Sequence, residues 1–307
     1  MKRSPLAHVS GQLFLAYTGF ETDLLFNHGA ELPGFASYPL LENAGGRALL
    51  QQSYQSVMDL GARAGVGVIL ESTTWLANRD RGAAIGYSPA ALRVANIEAI
   101  AFIDALRGTR DNVLLSANVG PRADAYAPEE RMDVTQATQY HAEQMEALSQ
   151  TKADLVSGYT LAYPEEAAGI ALAAKQVGMP VVIAFTVETD GLLPVGVTLE
   201  AALAEVDQVT DSFPAYYMVN CAHPEHLRGA LDGPMCRGRL RGVVANASRC
   251  SHAELDNAEV LDSGDPVEFG AQMADIARQF PQINVLGGCC GTDMRHLGEL
   301  VDAVRAG

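Results

Sequence analysis

The stretch from Ile283 to Thr292, INVLGGCCGT, joins a short apolar run to a pair of cysteines framed by glycines. The run from Ile283 to Leu286 has the length and composition of a buried strand. It is followed by an apolar stripe with the spacing of one helix face, formed by Leu297, Leu300, Val301 and Val304. The stretch therefore predicts a strand, a turn and a helix in succession.

The same alternation of strand and helix continues through the chain from residue 13, and no low-complexity linker divides it. The predicted strands are Leu13 to Thr18, Val66 to Leu70, Val113 to Val119, Asp154 to Ser157, Pro180 to Thr186, Tyr216 to Asn220, Gly242 to Asn246 and Ile283 to Leu286. Apolar parallel strands in this number, covered by helices, close into a (β/α)8 TIM barrel. We therefore predict one α/β domain over residues 1–307.

A doubly wound open sheet is the alternative architecture. The segment after the first strand, Thr18 to Thr22 (TGFET), lacks the G-x-G-x-x-G spacing that brings a backbone against pyrophosphate. Residues 27–43 are rich in glycine and proline, and we expect them to form a long irregular loop, a plausible lid, at the barrel mouth.

The composition predicts a globular protein that contacts neither membranes nor nucleic acids. Hydrophobic residues make up 48% of the chain and charged residues 19%, and no apolar run reaches the roughly 20 residues that a membrane helix needs. The net charge of −16 repels nucleic acid phosphates and anionic lipids. The first residues do not resemble a secretory signal, so we expect a cytoplasmic protein and leave a homo-oligomer open.

Three of the five cysteines lie at the carboxyl ends of predicted strands. Cys221 comes after the sixth strand, and Cys289 and Cys290 come after the eighth. Because the carboxyl ends of barrel strands converge on one mouth, these residues can meet there. Three thiolates suit Zn²⁺ and leave its fourth tetrahedral position open, which is typical of catalytic sites. We predict that all three are zinc ligands and catalytic residues that activate a thiol substrate.

Other interpretations of the cysteines and of one histidine remain open at this point. Cys236 and Cys250 are expected to be small buried hydrophobic residues. Packing alone, or a strained vicinal disulfide, is a further possibility for Cys289 and Cys290. His223 is a candidate fourth zinc ligand, although a histidine at the surface start of a helix is the preferred interpretation.

Two motifs carry a resemblance to a protein family. Asn220-Cys221, together with GGCCGT from Gly287 to Thr292, resembles the homocysteine S-methyltransferase family, whose three zinc cysteines lie in these two contexts. Smaller matches spread the resemblance over nearly the whole chain, and they are Gly120-Pro121, Phe185-Thr186-Val187, Asn246 and His296.

The resemblance implies transfer of a methyl group to a zinc-bound thiol, either homocysteine or a related thiol, which gives methionine or another thioether. Donors in the family are S-methylmethionine, betaine, S-adenosylmethionine and methyltetrahydrofolate. The chain shows no cobalamin or folate module beside the barrel, so we expect a small sulfonium or ammonium donor. The residues expected to bind the substrates are Gly19, Glu21, Thr22, Glu71, Asn118, Tyr159, Asn220 and Asn246.

Two departures from the family pattern bear on the acceptor. The first strand ends in Tyr17-Thr18-Gly19 where the family has an Asp-Gly-Gly type motif, and Tyr159 stands where the family has a glutamate. These acids resemble the anchors for the amino group of homocysteine, because a buried ammonium needs a paired charge. Either Glu21 or Glu71 replaces them, or the acceptor lacks an amine there; both glutamates also fit solvated loop charges. Trp75, after the second strand, is a candidate wall for a cationic donor.

Two other functions compete with methyl transfer. The first is a non-catalytic zinc barrel in which a fourth protein ligand, such as His223, closes the metal site. The second is a zinc hydrolase or lyase, which normally uses imidazole and carboxylate ligands. Only seven histidines are present, and no H-x-H or H-E-x-x-H motif occurs. The sequence therefore favours the methyltransferase.

Overall fold

The computed structural model of the protein describes residues 6–307, apart from the side chains of His8 and Asp256. Eight parallel strands form a closed barrel in chain order, with the last strand paired to the first. The strands are β1 Phe14–Tyr17, β2 Gly67–Glu71, β3 Val113–Val119, β4 Leu155–Leu161, β5 Val181–Phe185, β6 Tyr216–Asn220, β7 Leu240–Ala245 and β8 Val285–Gly288. The predicted (β/α)8 barrel is confirmed.

Helices connect the strands and surround the barrel. The α-helices are α1 Ala7–Ser10, α2 Phe20–Thr22, α3 Ala44–Ala64, α4 Arg79–Ala84, α5 Pro89–Arg107, α6 Val134–Ser149, α7 Pro164–Gln176, α8 Leu199–Thr210, α9 Pro234–Arg239, α10 His252–Asp256, α11 Pro266–Gln279 and α12 Met294–Ala306. A π-helical turn, Asp23–Asn27, continues α2, and 3-10 turns lie at Pro33–Phe35, Tyr38–Glu42 and Pro224–Leu227. Among the described residues, no helix combines the length and apolar character needed to cross a bilayer.

Every strand is apolar because it is buried on both faces. One large cluster of side chains fills the space between the sheet and the helices. A second cluster fills the barrel interior, from Phe14 and Val285 at the bottom to Tyr159, Cys221 and Cys289 at the top. Alternating side chains of each strand contribute to the two clusters. The candidate site therefore lies at the upper end of this interior cluster.

Strand β4 is longer than the sequence pattern predicts. The prediction ended at Ser157, but the strand continues through Gly158 to Leu161, with a break in its pairing to β5 between these two residues. Thr160 adopts a left-handed backbone with φ of 61°. The small and polar residues in this stretch concealed the strand, and as a result Tyr159 projects into the barrel mouth from the strand itself.

Residues 27–43 are more ordered than the irregular loop that we expected. They contain the two 3-10 turns Pro33–Phe35 and Tyr38–Glu42, each with a proline at its start, where a missing N–H costs nothing. Phe35 lines the cavity at the barrel mouth, and the Ser37 hydroxyl donates a hydrogen bond to Oε1 of Glu21 at 2.7 Å. The segment therefore supports one wall of the site.

Candidate metal and thiol site

The three sulfurs lie together at the carboxyl end of the barrel. Sγ of Cys221 lies 2.6 Å from Sγ of Cys289 and 3.7 Å from Sγ of Cys290. All three atoms fall within 4.8 Å of one another, and they form a group that could hold a metal ion. Cys221 and Cys289 are buried, whereas Cys290 is partly exposed. The strand ends thus bring residues some 70 positions apart in sequence into one cluster.

A turn after β8 lets two adjacent cysteines share this cluster. The backbone N–H of Thr292 donates to the carbonyl of Cys289 at 3.1 Å, and Gly291 has a φ of 77°, which favours glycine. The backbone of this turn therefore favours a glycine at position 291. At Gly287 the reason is different, because a Cβ atom there would lie 1.6 Å from the carbonyl oxygen of Ala16 on β1.

The backbone of Cys221 is also in the left-handed region, with φ of 53°, which is unfavourable for a residue with a side chain. Its carbonyl oxygen accepts hydrogen bonds from Nε2 of His252 at 2.6 Å and from Nδ2 of Asn246 at 3.1 Å. These two donors fix the peptide that follows β6. They therefore hold the Cys221 side chain over the barrel axis.

The thiols perturb one another because they are so close. Burial raises the pKa of Cys289, but contacts with the Cys221 and Cys290 sulfurs outweigh it and hold that pKa well below its usual range. The pKa values of Cys221 and Cys290 are raised, chiefly by contact with the neighbouring sulfurs. One thiolate thus suppresses the ionisation of the other two, and a bound cation would remove this penalty.

The donor set fits zinc. Two sulfurs on a tetrahedral ion with bonds of about 2.3 Å are roughly 3.8 Å apart, and the Cys221 to Cys290 distance of 3.7 Å agrees with this separation. The closer pair, Cys221 and Cys289, would have to separate by about 1 Å. Within residues 6–307, no histidine, carboxylate or further cysteine joins the three sulfurs as a fourth ligand.

A cavity of about 370 Å³ opens above the sulfurs. Six of the residues predicted to bind substrate line it, namely Glu21, Thr22, Asn118, Tyr159, Asn220 and Asn246. Trp75 also lines it, and its Nε1 donates to the carbonyl of Tyr159 at 3.2 Å. Thr22 supports the cysteine turn as well, because its hydroxyl accepts from the N–H of Gly291 at 3.1 Å.

Comparison with other proteins decides the family. The model of the family described as homocysteine S-methyltransferase matches residues 19–304, which is nearly the whole chain. The chain belongs to the homocysteine S-methyltransferase family. It is accordingly an enzyme of the methyltransferase class. No curated protein sequence matches it.

Solved structures of one family member share the fold of this methyltransferase. The oxidized form of the homocysteine methyltransferase MmuM from Escherichia coli has 20% sequence identity and a TM-score of 0.72, and the match covers 96% of this chain and 97% of that one. The metallated form of the same protein has 18% identity and a TM-score of 0.70, with coverage of 97% and 96%. At 18–20% sequence identity, this similarity shows that the two proteins share a fold.

Two predicted substrate residues of this methyltransferase do not line the cavity. Gly19 packs beneath it, where a Cβ atom would lie 2.7 Å from the carbonyl oxygen of Cys289. Glu71 ends β2 and is only 1% exposed, so it is not a solvated loop charge. The Tyr159 hydroxyl donates to its Oε1 at 3.2 Å, and Tyr159 itself lines the cavity.

Burial sets the charge of Glu71. Desolvation raises the pKa of its carboxyl to about 7, and smaller effects of hydroxyl groups, first that of Ser116 and then that of Tyr159, oppose it. None of the described groups that shift this pKa is basic. Glu71 therefore contacts the Tyr159 hydroxyl from outside the cavity lining.

Glu21 does reach the cavity, on the short helix α2 directly after β1. Desolvation raises the pKa of its carboxyl to about 7, and the hydrogen bond from Ser37 opposes the shift. A carboxyl that is near its midpoint at neutral pH ionises readily when a cation binds beside it. Of the two glutamates singled out in the sequence, Glu21 lines the cavity and Glu71 does not.

Two minor expectations are wrong. His223 begins the Pro224–Leu227 turn as predicted, and its Nδ1 accepts from the N–H of Glu225 at 3.2 Å, but the residue is buried rather than at the surface. Cys250 is exposed because it lies in the loop after β7, whereas Cys236 is buried as expected. Neither His223 nor Cys250 belongs to the sulfur cluster.

The sequence analysis did not identify Tyr126 and His252, two aromatic residues that cover the site and are called its roof below. Tyr126, from the loop after β3, stacks on the ring of His252 with a centroid distance of 3.9 Å, and both line the cavity. Nδ1 of His252 lies 3.0 Å from Oε1 of Glu188, and burial leads the causes that raise the pKa of Tyr126. Tyr126 lies in a long loop and His252 begins the short helix α10, and neither directly follows a strand, so nothing in a single sequence distinguishes them.

Proposed function

We propose that this enzyme moves a methyl group from a small sulfonium or ammonium donor to a zinc-bound thiol, which is homocysteine or a related thiol. One observation carries the proposal. The three sulfurs of Cys221, Cys289 and Cys290 lie at the bottom of a cavity that is open to small molecules. The product is methionine or another thioether, and donors of the S-methylmethionine, S-adenosylmethionine or betaine type fit the expectation.

A zinc ion held by these sulfurs would lower the pKa of the acceptor thiol, which otherwise is mostly protonated at neutral pH. The acceptor then reacts as a thiolate, and its proton passes to solvent. The thiolate sulfur forms a bond to the methyl carbon while the bond from that carbon to the donor sulfur or nitrogen breaks. The electron pair stays on the donor, which leaves as a neutral thioether or amine.

The residues of this chain position both reactants. Asn220 holds the end of β4, because its Oδ1 accepts from the N–H of Thr160 at 2.9 Å. Trp75, Tyr126 and Tyr159 supply aromatic walls that can face a cationic methyl donor. Holding donor and acceptor in line supplies much of the rate of such a transfer. Glu21 adds the negative charge on this wall.

The site also supports the expected compartment. All five cysteines of the chain are free, and thiolate ligands persist where the surroundings are reducing. The cytoplasm therefore remains the proposed location. Small molecules, rather than nucleic acids, are the partners that a cavity of this size admits.

A non-catalytic zinc barrel is the competing function. It would require a fourth protein ligand, and His223 was the candidate. His223 uses its Nδ1 to accept from the N–H of Glu225 and is absent from the sulfur group. The open cavity above the sulfurs favours the catalytic alternative.

A panel of thiols and donors tests the proposal. Zinc-loaded enzyme is incubated with homocysteine, cysteine or mercaptopropionate and with S-methylmethionine, betaine or S-adenosylmethionine, and the thioethers are measured by mass spectrometry. We expect one or more pairs to give product in wild-type enzyme and none to do so after removal of zinc by a chelator. Zinc-loaded enzyme that forms no thioether from any pair would contradict the proposal.

A further inference from the structure

The cavity above the sulfurs lacks the side chains that are always positively charged. Among the described residues that line it, none is a lysine or an arginine, whereas the carboxylates of Glu21 and Asp262 both face it. The Ser248 hydroxyl donates to Oδ2 of Asp262 at 2.6 Å, and this hydrogen bond leads the causes that hold the pKa of Asp262 below its usual range. The walls therefore offer negative charge. The imidazole of His252 also lines the cavity, but its two ring nitrogens already contact Oε1 of Glu188 and the carbonyl oxygen of Cys221.

The outer end of the same cavity is apolar and open to solvent. Leu25, Phe26 and Val260 form its rim and are 36%, 44% and 77% exposed. They are three of the few large hydrophobic side chains with such exposure among the described residues. When a ligand covers exposed apolar groups around a cavity mouth, their removal from water stabilises the complex.

We propose that the acceptor is a thiol without a carboxylate, whose hydrocarbon chain runs from the sulfur cluster to the rim formed by Leu25, Phe26 and Val260. The inference rests on the proposed function and narrows its acceptor. An amino acid thiol would bring a carboxylate beside Glu21 and Asp262, where no lysine or arginine lines the cavity to pair with it. A hydrocarbon chain would instead be stabilised by apolar contact with the rim.

The missing family acids agree with this acceptor. Tyr159 occupies the position where the family has a glutamate, and Tyr17 stands at the end of β1 where the family has an acid. Tyr159 lines the cavity, whereas Tyr17 is buried beside it. A thiol without an amino group needs neither acid, and the ring of Tyr159 adds apolar surface. The loss of the acids and the absence of lysine and arginine from the described cavity lining thus have one explanation.

Binding of the reaction products tests the inference without metal or turnover. Methyl butyl sulfide and methionine are titrated into the metal-free protein, and the fluorescence of Trp75, the single tryptophan, reports binding because it lines the cavity. We expect methyl butyl sulfide to bind at least about tenfold more tightly than methionine. Affinity should rise by up to about fourfold for each methylene added between methyl ethyl sulfide and methyl butyl sulfide.

Two exposed valines provide a matched pair of variants. Val260→Ser should weaken the binding of methyl butyl sulfide severalfold and leave methionine unchanged, because Val260 lines the rim. Val267→Ser should change the affinity for neither ligand, because Val267 does not line the cavity. It is a suitable control since it is similarly exposed, at 62%. Equal effects of the two substitutions would contradict contact between the rim and the ligand.

Turnover separates failure of the inference from failure of the function. Zinc-loaded enzyme receives 1-butanethiol, cysteamine, mercaptopropionate or homocysteine, with trimethylsulfonium or S-methylmethionine as donor. We expect kcat/KM for 1-butanethiol to exceed that for homocysteine by at least about tenfold. A preference for homocysteine, or tighter binding of methionine than of methyl butyl sulfide, would overturn the inference alone. No product from any thiol would overturn the proposed function together with the inference that rests on it.

Discussion

Nε2 of His252 donates a hydrogen bond of 2.6 Å to the carbonyl oxygen of Cys221. This contact joins the loop after β7 to the end of β6, where Cys221 has a left-handed backbone. The other ring nitrogen of His252 faces Glu188, and the ring stacks on Tyr126. His252 therefore links the roof of the cavity to the peptide that aims one of the three sulfurs.

His252→Ala should weaken zinc binding. Loss of the hydrogen bond frees the Cys221 peptide from its strained conformation, and groups that orient metal ligands typically change affinity by about 10- to 100-fold. The affinity is measured by competition with a chromophoric chelator. His252→Gln, which keeps an N–H donor, should restore part of the loss. Equal zinc affinity in wild-type and His252→Ala protein would show that His252 does not position Cys221.

Cys290→Ala should lose both zinc and methyl transfer, because two thiolates rarely retain zinc in a site built for three. Cys250→Ala is the matched control, since Cys250 is exposed and outside the cluster. The purified proteins are compared by elemental analysis and by thioether formation. Stoichiometric zinc in Cys290→Ala would rule out the assignment of Cys290 as a ligand.

The stability of the fold should decrease as the pH rises, partly because of Glu71. Its pKa is about 7 in the folded protein, above its usual 4.5, so between these values the folded state holds a proton that the unfolded chain releases. The free energy of unfolding should fall through this window by about 3 kcal/mol. Urea unfolding at pH 5 and pH 8 measures the difference.

Glu71→Gln should remove this part of the pH dependence, while Glu130→Gln should leave it unchanged, because the Glu130 side chain is 90% exposed. The glutamine retains an oxygen that can accept from the Tyr159 hydroxyl. An undiminished slope in Glu71→Gln would mean that Glu71 is ionised in the folded protein.

Glu21→Gln should raise KM for a cationic donor by about tenfold at pH 8, with little change in kcat, because it removes a negative charge from the cavity wall. At pH 6 the two proteins should be similar, since the pKa of Glu21 is about 7 and its carboxyl is mostly protonated there. Trimethylsulfonium and 1-butanethiol are the substrates, so that only the donor is charged. A difference in KM that does not vary with pH would argue against this role.

The barrel and the sulfur cluster could be predicted from the sequence because each depends on local patterns. The strands are continuous apolar runs, and the cysteines directly follow two of them, so the convergence of strand ends brings the sulfurs together. The extension of β4 was missed because Gly158 and Thr160 interrupt its apolar pattern.

The sequence could not predict in which direction the side chains of the candidate substrate residues point. Glu21 follows β1 and Glu71 ends the adjacent strand β2, yet of the two only Glu21 lines the cavity, while Glu71 accepts a hydrogen bond from the Tyr159 hydroxyl. Tyr126 and His252 meet only when the segments after β3 and β7 come together over the mouth. Such contacts depend on tertiary packing and leave no periodic signal in one sequence.

X-ray absorption at the zinc edge tests the central claim most directly, because it counts the sulfur atoms around the metal before and after a thiol is added. The account predicts three sulfurs and one lighter atom in the zinc-loaded enzyme, and four sulfurs once 1-butanethiol or homocysteine is present. A zinc site with a protein nitrogen as its fourth ligand, unchanged by either thiol, would contradict it.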